Sequence, residues 1–184
     1  MTSSLAASAV LPQAPEVHSL EDEVVGLFDQ FRDRLLGYLL ALGLDVHDGE
    51  EVIQEVFLAL FQHLERGKCR RNLRSWLFRV AHNLGLKQRN RKSRRLQLMT
   101  QPAAALADLH IDPSPNPEQR LLDKHRHRRL RAVFHALPEK DRLCLSLRAE
   151  GLRYREIGDV LGISLGAVSL ILTRSVARLS RVDR

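Results

Sequence analysis

The chain has few aromatic residues: one Trp, two Tyr and six Phe in 184 residues, or 5%. That argues against a binding surface built on bases stacked over an aromatic platform. It has only two cysteines, Cys69 and Cys144, and neither has a His or Cys at metal-ligand spacing. No disulfide framework and no zinc site are expected, nor any other cofactor, and the thiols read as the reduced cysteines of a cytoplasmic protein. Long apolar runs are missing. No segment approaches the ~20 uncharged apolar residues of a membrane span. Met1 to Leu11 carries no positive charge and is interrupted by Ser3, Ser4 and Ser8, so neither a secretory signal nor membrane insertion is expected. A glycine-rich nucleotide loop, an HExxH pair and a nucleophile with an evident base are all lacking, which argues against an enzyme. Strand-like alternation of useful length is lacking too.

What the sequence does have is charge, and the charge is sorted. The net value is +7. From Glu16 to Glu65 there are twelve acidic residues and two basic ones, Arg32 and Arg34. From Arg66 to Arg95 there are twelve basic residues and no acidic one. A basic block this dense is the footprint of a polyanion, most often nucleic acid. The acidic block would be repelled by phosphate, so it faces a second partner or solvent.

Helical periodicity organises the chain. Ser19 is placed to cap a helix whose first turn holds Glu21, Asp22 and Glu23, where the helix dipole favours negative charge. Val24, Leu27, Phe28, Phe31, Leu35, Tyr38, Leu39 and Leu42 follow at helical spacing, and Gly43 ends the helix. A second helix starts near Asp45 or Asp48 and closes at Gly67. A third begins about Asn72, carries Leu73, Trp76, Leu77, Val80, Ala81 and Leu84 inward, and has an entirely basic polar face. Trp76 falls among core positions, so packing is favoured over base stacking. Four prolines between Gln101 and Pro117 mark a linker. The expected architecture is all-α: a flexible tail at 1–18, a helical domain at 19–97, a flexible linker at 98–117 and a second helical domain at 118–184.

The second domain contains a helix-turn-helix pattern. Its first helix is expected at Tyr154 to Leu161, the turn at Gly162-Ile163, and the second helix from Ser164 or Leu165 to about Ser180. Ile157, Leu161, Ile163, Val168 and Ile171 fall where crossed helices need apolar side chains, and Ser164 suits an N-cap. The second helix is then the one to enter a major groove.

Three stretches carry a family resemblance. They are Asp48-Gly49-Glu50-Glu51-Val52-Ile53-Gln54-Glu55-Val56-Phe57, then Asn72-Leu73-Arg74-Ser75-Trp76-Leu77-Phe78-Arg79-Val80-Ala81-His82-Asn83, then Leu137-Pro138 with Gly151 to Gly158 and Leu161 to Val168. In this order and spacing the chain resembles the sigma-70 family of bacterial RNA polymerase sigma factors, of the small extracytoplasmic-function type with regions 2 and 4. The resemblance implies a promoter-specificity subunit whose partners are core polymerase (β′ clamp helices and β flap), promoter DNA and an anti-sigma factor. It places Asp48, Glu51, Gln54 and Glu55 on the polymerase-docking face. It places the loop Arg66 to Asn72, with Arg70 and Arg71, where the melted −10 strand is captured, and Arg74, Arg79, Asn83, Lys87 and Arg91 on the helix that holds that strand. Arg89, Arg91 and Arg94 are expected at phosphates.

The resemblance assigns Arg153, Arg155, Ser164, Leu165, Ala167, Ser169, Leu170, Thr173 and Arg174 to the −35 element. Here the chain departs from the family pattern, which often has Thr, Lys and Arg where Ala167, Ser169 and Ile171 stand. The groove-facing residues are left uncharged. Either the arginines hold phosphates while apolar side chains meet thymine methyls, or this domain reads DNA weakly or meets a protein. Arg153 replaces a Ser cap, and Gly158 replaces an Ala at a cost of about 0.5–1 kcal/mol unless close packing requires it. Two other readings stand beside the sigma factor. One is a free-standing helix-turn-helix regulator, which does not need the acidic helix. The other is a non-specific basic DNA-binding protein.

Overall fold

A computed structural model describes residues 19–99 and 128–181. The expected tail, the linker from residue 100 onward and residues 118–127 of the second domain lie outside the described residues. All regular structure among the described residues is helical: α1 (Leu20–Ala41), α2 (Val46–Glu65), α3 (Leu73–Met99), α4 (residues 128–135), α5 (Glu139–Ala149), α6 (Tyr154–Leu161) and α7 (Leu165–Ser180).

Local chemistry sets the helix ends. Ser19 Oγ accepts from the Asp22 backbone N–H at 3.1 Å, while the Asp22 carboxylate accepts from the Ser19 N–H at 3.1 Å, a complete capping box. Asp45 caps α2 through the Asp48 N–H at 2.8 Å. Four helices then stop by one device. Gly43, Gly67, Gly151 and Gly162 all have positive φ. The residue after each donates back five positions: Leu44 to Leu39, Lys68 to His63, Leu152 to Leu147 and Ile163 to Gly158. Only a left-handed residue closes that bond, and glycine adopts it without strain.

The first three helices pack on one another. Leu35, Leu39 and Tyr38 of α1, Val56 and Leu60 of α2, and Leu77, Phe78 and Ala81 of α3 are almost completely buried. A Cβ on Gly85 would lie 2.7 Å from Leu42 Cδ2 and 2.8 Å from Leu39 Cδ2, so α3 lies close against α1. Tyr38 and His82 share a buried 2.8 Å hydrogen bond. Burial pushes the Tyr38 phenol far up and the His82 imidazole down, so both are neutral.

In the second half Leu143, Leu147, Leu152, Ile157, Val160, Val168 and Leu172 fill the centre. Cys144 is buried with them, and burial pushes its thiol up to about 11, which leaves it unreactive. Asp141, wholly buried, takes the Arg174 guanidinium on both oxygens, Nε at 2.9 Å and Nη2 at 2.5 Å, with Ser175 Oγ donating at 3.2 Å. No single helix among the described residues is long and apolar enough to cross a membrane. Only α6 and α7 together reach that composition, across a 105° bend.

The two halves also meet. α1 packs on α5 and α3 on α6, so that one apolar cluster runs through both. A linker-based view gives no hint of this contact, because it rests on isolated side chains far apart in sequence.

Two glycines in the helix-turn-helix make opposite demands. A Cβ on Gly158 would stand 2.8 Å from the Ile163 backbone oxygen, whereas one on Gly166 would meet nothing within 4 Å. Gly158→Ala is therefore expected to destabilise the chain by about 1–3 kcal/mol despite alanine's helix preference. Gly166→Ala is expected to stabilise it by about 0.5–1 kcal/mol. Urea denaturation of both variants checks the opposite signs.

Candidate functional site

The outward face of α2 carries the acidic block. Glu51, Gln54 and Glu55 are exposed on one side of the helix, as their spacing requires. Asp48 lies deeper, its side chain 14% exposed. Leu58 continues the same stripe one turn further and keeps 60% of its surface in water. It stands three and four residues after Glu55 and Gln54, so it shares their side of the helix.

This face is not isolated from the basic block. Lys92 of α3 pairs with Asp45 and Asp48, the latter at 2.8 Å. Gln88 Nε2 donates to Asp48 at 3.1 Å and to Glu51 at 3.2 Å. The hydrogen bond from Lys92 holds the Asp45 carboxyl below its usual range, and Asp45 in turn raises the Lys92 ammonium. Asp48, Glu51 and Glu55 line a shared cleft of about 690 Å³ with Gln88, Arg91, Lys92 and Arg95. Acidic and basic blocks, twelve charges each in sequence, thus meet across two antiparallel neighbours.

The basic face of α3 has a definite geometry. Arg79, Asn83, Lys87 and Arg91 succeed each other at intervals of four, and all are exposed, so they form one stripe along the helix. Before them runs the loop 66–72, in which Arg71 is exposed and Arg70 pairs with Glu23 at 3.2 Å. Asn72 ends the loop at φ +66°. Trp76 is half-buried against the core with the His63 ring 4.8 Å away, in keeping with packing. Arg74 departs from the stripe. Its guanidinium sits 6.0 Å from the centre of the Phe31 ring and against Gly151 of the second half. Arg89 likewise turns away from the solvent face. Its Nη1 donates to the Leu42 carbonyl at 2.9 Å and to Glu139 at 2.7 Å. It joins α1, α3 and α5, a bridging position where phosphate contact was expected.

The junction between halves is polar at its rim. Asn72 Nδ2 donates to Glu156 at 2.5 Å, and Arg34 pairs with Glu150 at 2.5 Å. Burial works against the charge on Glu156. The Arg153 backbone N–H at 2.7 Å and the Asn72 amide outweigh it and hold the carboxyl below its usual range. The Arg153 N–H bond also mends the start of α6: with no Ser at the cap, the Glu156 side chain reaches back to the Arg153 backbone.

The helix-turn-helix matches its sequence expectation in both helix spans. Ser164 Oγ accepts from the Ala167 N–H at 3.2 Å. Leu165, Ser169, Leu170 and Thr173 are exposed on α7, Ala167 is half-buried, and Arg153 and Arg155 are exposed at the start of α6. Arg174 stands apart from this group, since Asp141 holds its guanidinium.

Comparison with known proteins gives these surfaces a family. The family model described as Sigma-70 region 2 matches residues 27–95, and that described as Sigma-70, region 4 matches residues 127–179. The chain belongs to the sigma-70 family. Its curated relatives include several named as the ECF, or extracytoplasmic-function, type. The ECF RNA polymerase sigma factor SigE of Mycolicibacterium smegmatis is 32% identical over 77% of this chain and 54% of its own length. SigW of Bacillus subtilis is 22% identical over 84% of this chain and 85% of its own. The chain thus spans about half the length of that SigE. Among solved structures, the sigma factor RpoE in complex with the anti-sigma factor NepR from Bartonella quintana superposes with a TM-score of 0.67 at 16% identity, covering 87% of this chain and 96% of that one. CnrH in complex with the cytosolic domain of CnrY gives 0.55 at 23% identity, over 88% of each chain. These two establish the likeness of fold.

In this sigma factor the region 2 residues Asn72 and Arg74 lie under region 4, and the contact is rimmed by Arg34–Glu150 and Arg89–Glu139. Replacing Glu139 and Glu150 by Lys places like charges across both pairs. The radius of gyration from small-angle scattering is expected to rise, with helicity by circular dichroism unchanged. An unchanged radius would show that apolar packing alone holds the halves together.

Proposed function

We propose that this sigma factor binds core RNA polymerase in the cytoplasm and directs promoter recognition and melting, with no covalent chemistry of its own. In this reading Asp48, Glu51, Gln54 and Glu55, together with Leu58, dock on the β′ clamp helices. Region 4 docks at the β flap and sets α7 on the −35 element. Arg70, Arg71 and Asn72 capture the melted −10 strand, and Arg79, Asn83, Lys87 and Arg91 hold it. An anti-sigma factor that covers one of these faces belongs to the same reading, since one structural relative was solved with an anti-sigma factor and the other with the cytosolic domain of CnrY.

The observation that carries the proposal is the pairing of two unlike surfaces within one small unit. An acidic helix face with an exposed leucine lies beside an exposed Arg-Asn-Lys-Arg stripe. A protein that only binds DNA needs the second surface and is hindered by the first. Phosphate contacts along the stripe supply affinity, and Asn83 supplies a group able to discriminate base edges.

Two measurements test the two surfaces separately. Glu51→Lys with Glu55→Lys is expected to weaken binding to core polymerase by about tenfold or more, and Leu58→Ala by about fivefold. All three residues are exposed, so thermal stability should hold. Unchanged core affinity, with tight binding of promoter duplex by the chain alone, would instead identify a free-standing regulator. On the DNA side, Arg79→Ala, Lys87→Ala and Arg91→Ala combined should weaken single-stranded −10 DNA of every sequence. They should also lower the slope of log affinity against log salt by about two, at roughly 0.7 per phosphate contact. A slope that does not move would remove these residues from the phosphate interface.

A further inference from the structure

Deepening the −35 assignment just made, and resting on it, we propose that α7 reads its DNA site through thymine C5-methyl groups. Leu165 and Leu170 would select the base, so that the core of the site is a thymine-bearing A·T tract.

The buried side of α7 is Val168, Ile171, Leu172 and Ser175. With successive residues about 100° apart, Gly166, Leu170 and Thr173 fall opposite, with Ser169 beside them and Leu165 at the margin of the exposed run. This is the side that a second helix of this type turns into a major groove. Leu165 and Leu170 keep 57% and 65% of their surface in water and stand at the two edges of that run. Between them Gly166 has no side chain and open space around its Cα. The floor of a groove can therefore come close to the helix between two isobutyl groups.

The chemistry of the run narrows what it can distinguish. Guanine is picked out by a bidentate Arg or Lys, and adenine by a bidentate Asn or Gln. None of these five positions carries such a group. The one arginine near them, Arg174, has its guanidinium turned to both oxygens of Asp141. The hydroxyls of Ser169 and Thr173 both donate and accept, so they suit several base edges. The remaining difference among base pairs in the major groove is the thymine methyl, an apolar group that a leucine contacts and a polar edge does not match.

Charge placement commits the occupant. Arg153 and Arg155 are exposed at the start of α6, and Arg178 and Arg181 at the far end of α7. An uncharged centre bracketed by cations fits a duplex, whose phosphates flank the groove while the base edges lie between them. A protein partner with an apolar groove would gain from the leucines and nothing from the brackets.

The test uses the full chain bound to core polymerase and a random-sequence duplex library, with the enriched duplex then resynthesised. Replacing thymidine by deoxyuridine at single positions removes one methyl and alters no hydrogen bond. At two positions this should weaken binding about fourfold each, the value of one apolar group removed from water. Leu165→Ala should abolish the sensitivity at one of the positions and Leu170→Ala at the other. Both residues are exposed, so the variants fold. A G·C-rich enriched core, or deoxyuridine without effect, would overturn the proposal. So would the absence of any enrichment together with duplex binding indifferent to both leucine variants, which would leave the face to a protein. Failure of the chain to bind core polymerase is a separate outcome. If the chain fails to bind core polymerase while methyl sensitivity persists on the isolated chain, the reading as a polymerase subunit falls and the methyl readout stands.

Discussion

The structure depends on the way α3 divides its surface. Leu77, Phe78 and Ala81 are completely buried, and Gly85 brings the helix into contact with Leu39 and Leu42. That close approach fixes both the rotation and the height of α3 against α1. Every other side chain on the helix then has its direction decided. Arg79, Asn83, Lys87 and Arg91 go to solvent, Gln88 and Lys92 go to α2, and Arg89 goes to the Leu42 carbonyl and to α5. A residue larger than glycine at 85 would push α3 outward and disturb these assignments together, since they share one rigid element.

The charge pairs that follow are numerous but individually weak. Lys92, Asp45, Arg89 and Glu139 keep 36–47% of their side-chain surface in water. Exposed pairs of this kind contribute roughly 0–1 kcal/mol each, and salt screens them. The fold therefore does not rely on them. Its stability lies in the apolar cluster and in the buried Asp141 and Tyr38–His82 bonds, where an unmatched polar group would be costly. Weak surface pairs are suited to exchange. A carboxylate on α2 that releases Lys92 for another cation loses little, and the lysine is freed at the same time.

Helix boundaries were legible in the sequence because their causes are local. Ser19, Asp45 and Ser164 each bond an N–H three residues away, and the glycines at 43, 67, 151 and 162 each close a single turn. The exposed α2 stripe and the α3 stripe were legible for the same reason, as spacing along one helix fixes which residues share a side. Arg89, Arg74 and Arg174 were not. Nothing local distinguishes an arginine that meets phosphate from one that meets Asp141 thirty-three residues away. Leu58 was passed over because periodicity was used to find inward leucines, and this one is informative for pointing outward. Gly158 was read as a helix cost unless close packing required it, and the Ile163 oxygen across the turn is that close packing.

The contact between the halves occupies donors of the first half. Asn72, Arg34 and Arg89 are each satisfied by a carboxylate of the second half: Glu156, Glu150 and Glu139. Asn72 Nδ2 carries a second hydrogen, so an acceptor brought to it would share the amide with Glu156. An anionic acceptor there would stand beside the Glu156 carboxylate and be repelled by it. Opening the halves would free Asn72, Arg34 and Arg89 together, because all three find their carboxylates on the second half. It would also expose the apolar cluster that runs through both halves, so apolar packing and the three pairs resist it together.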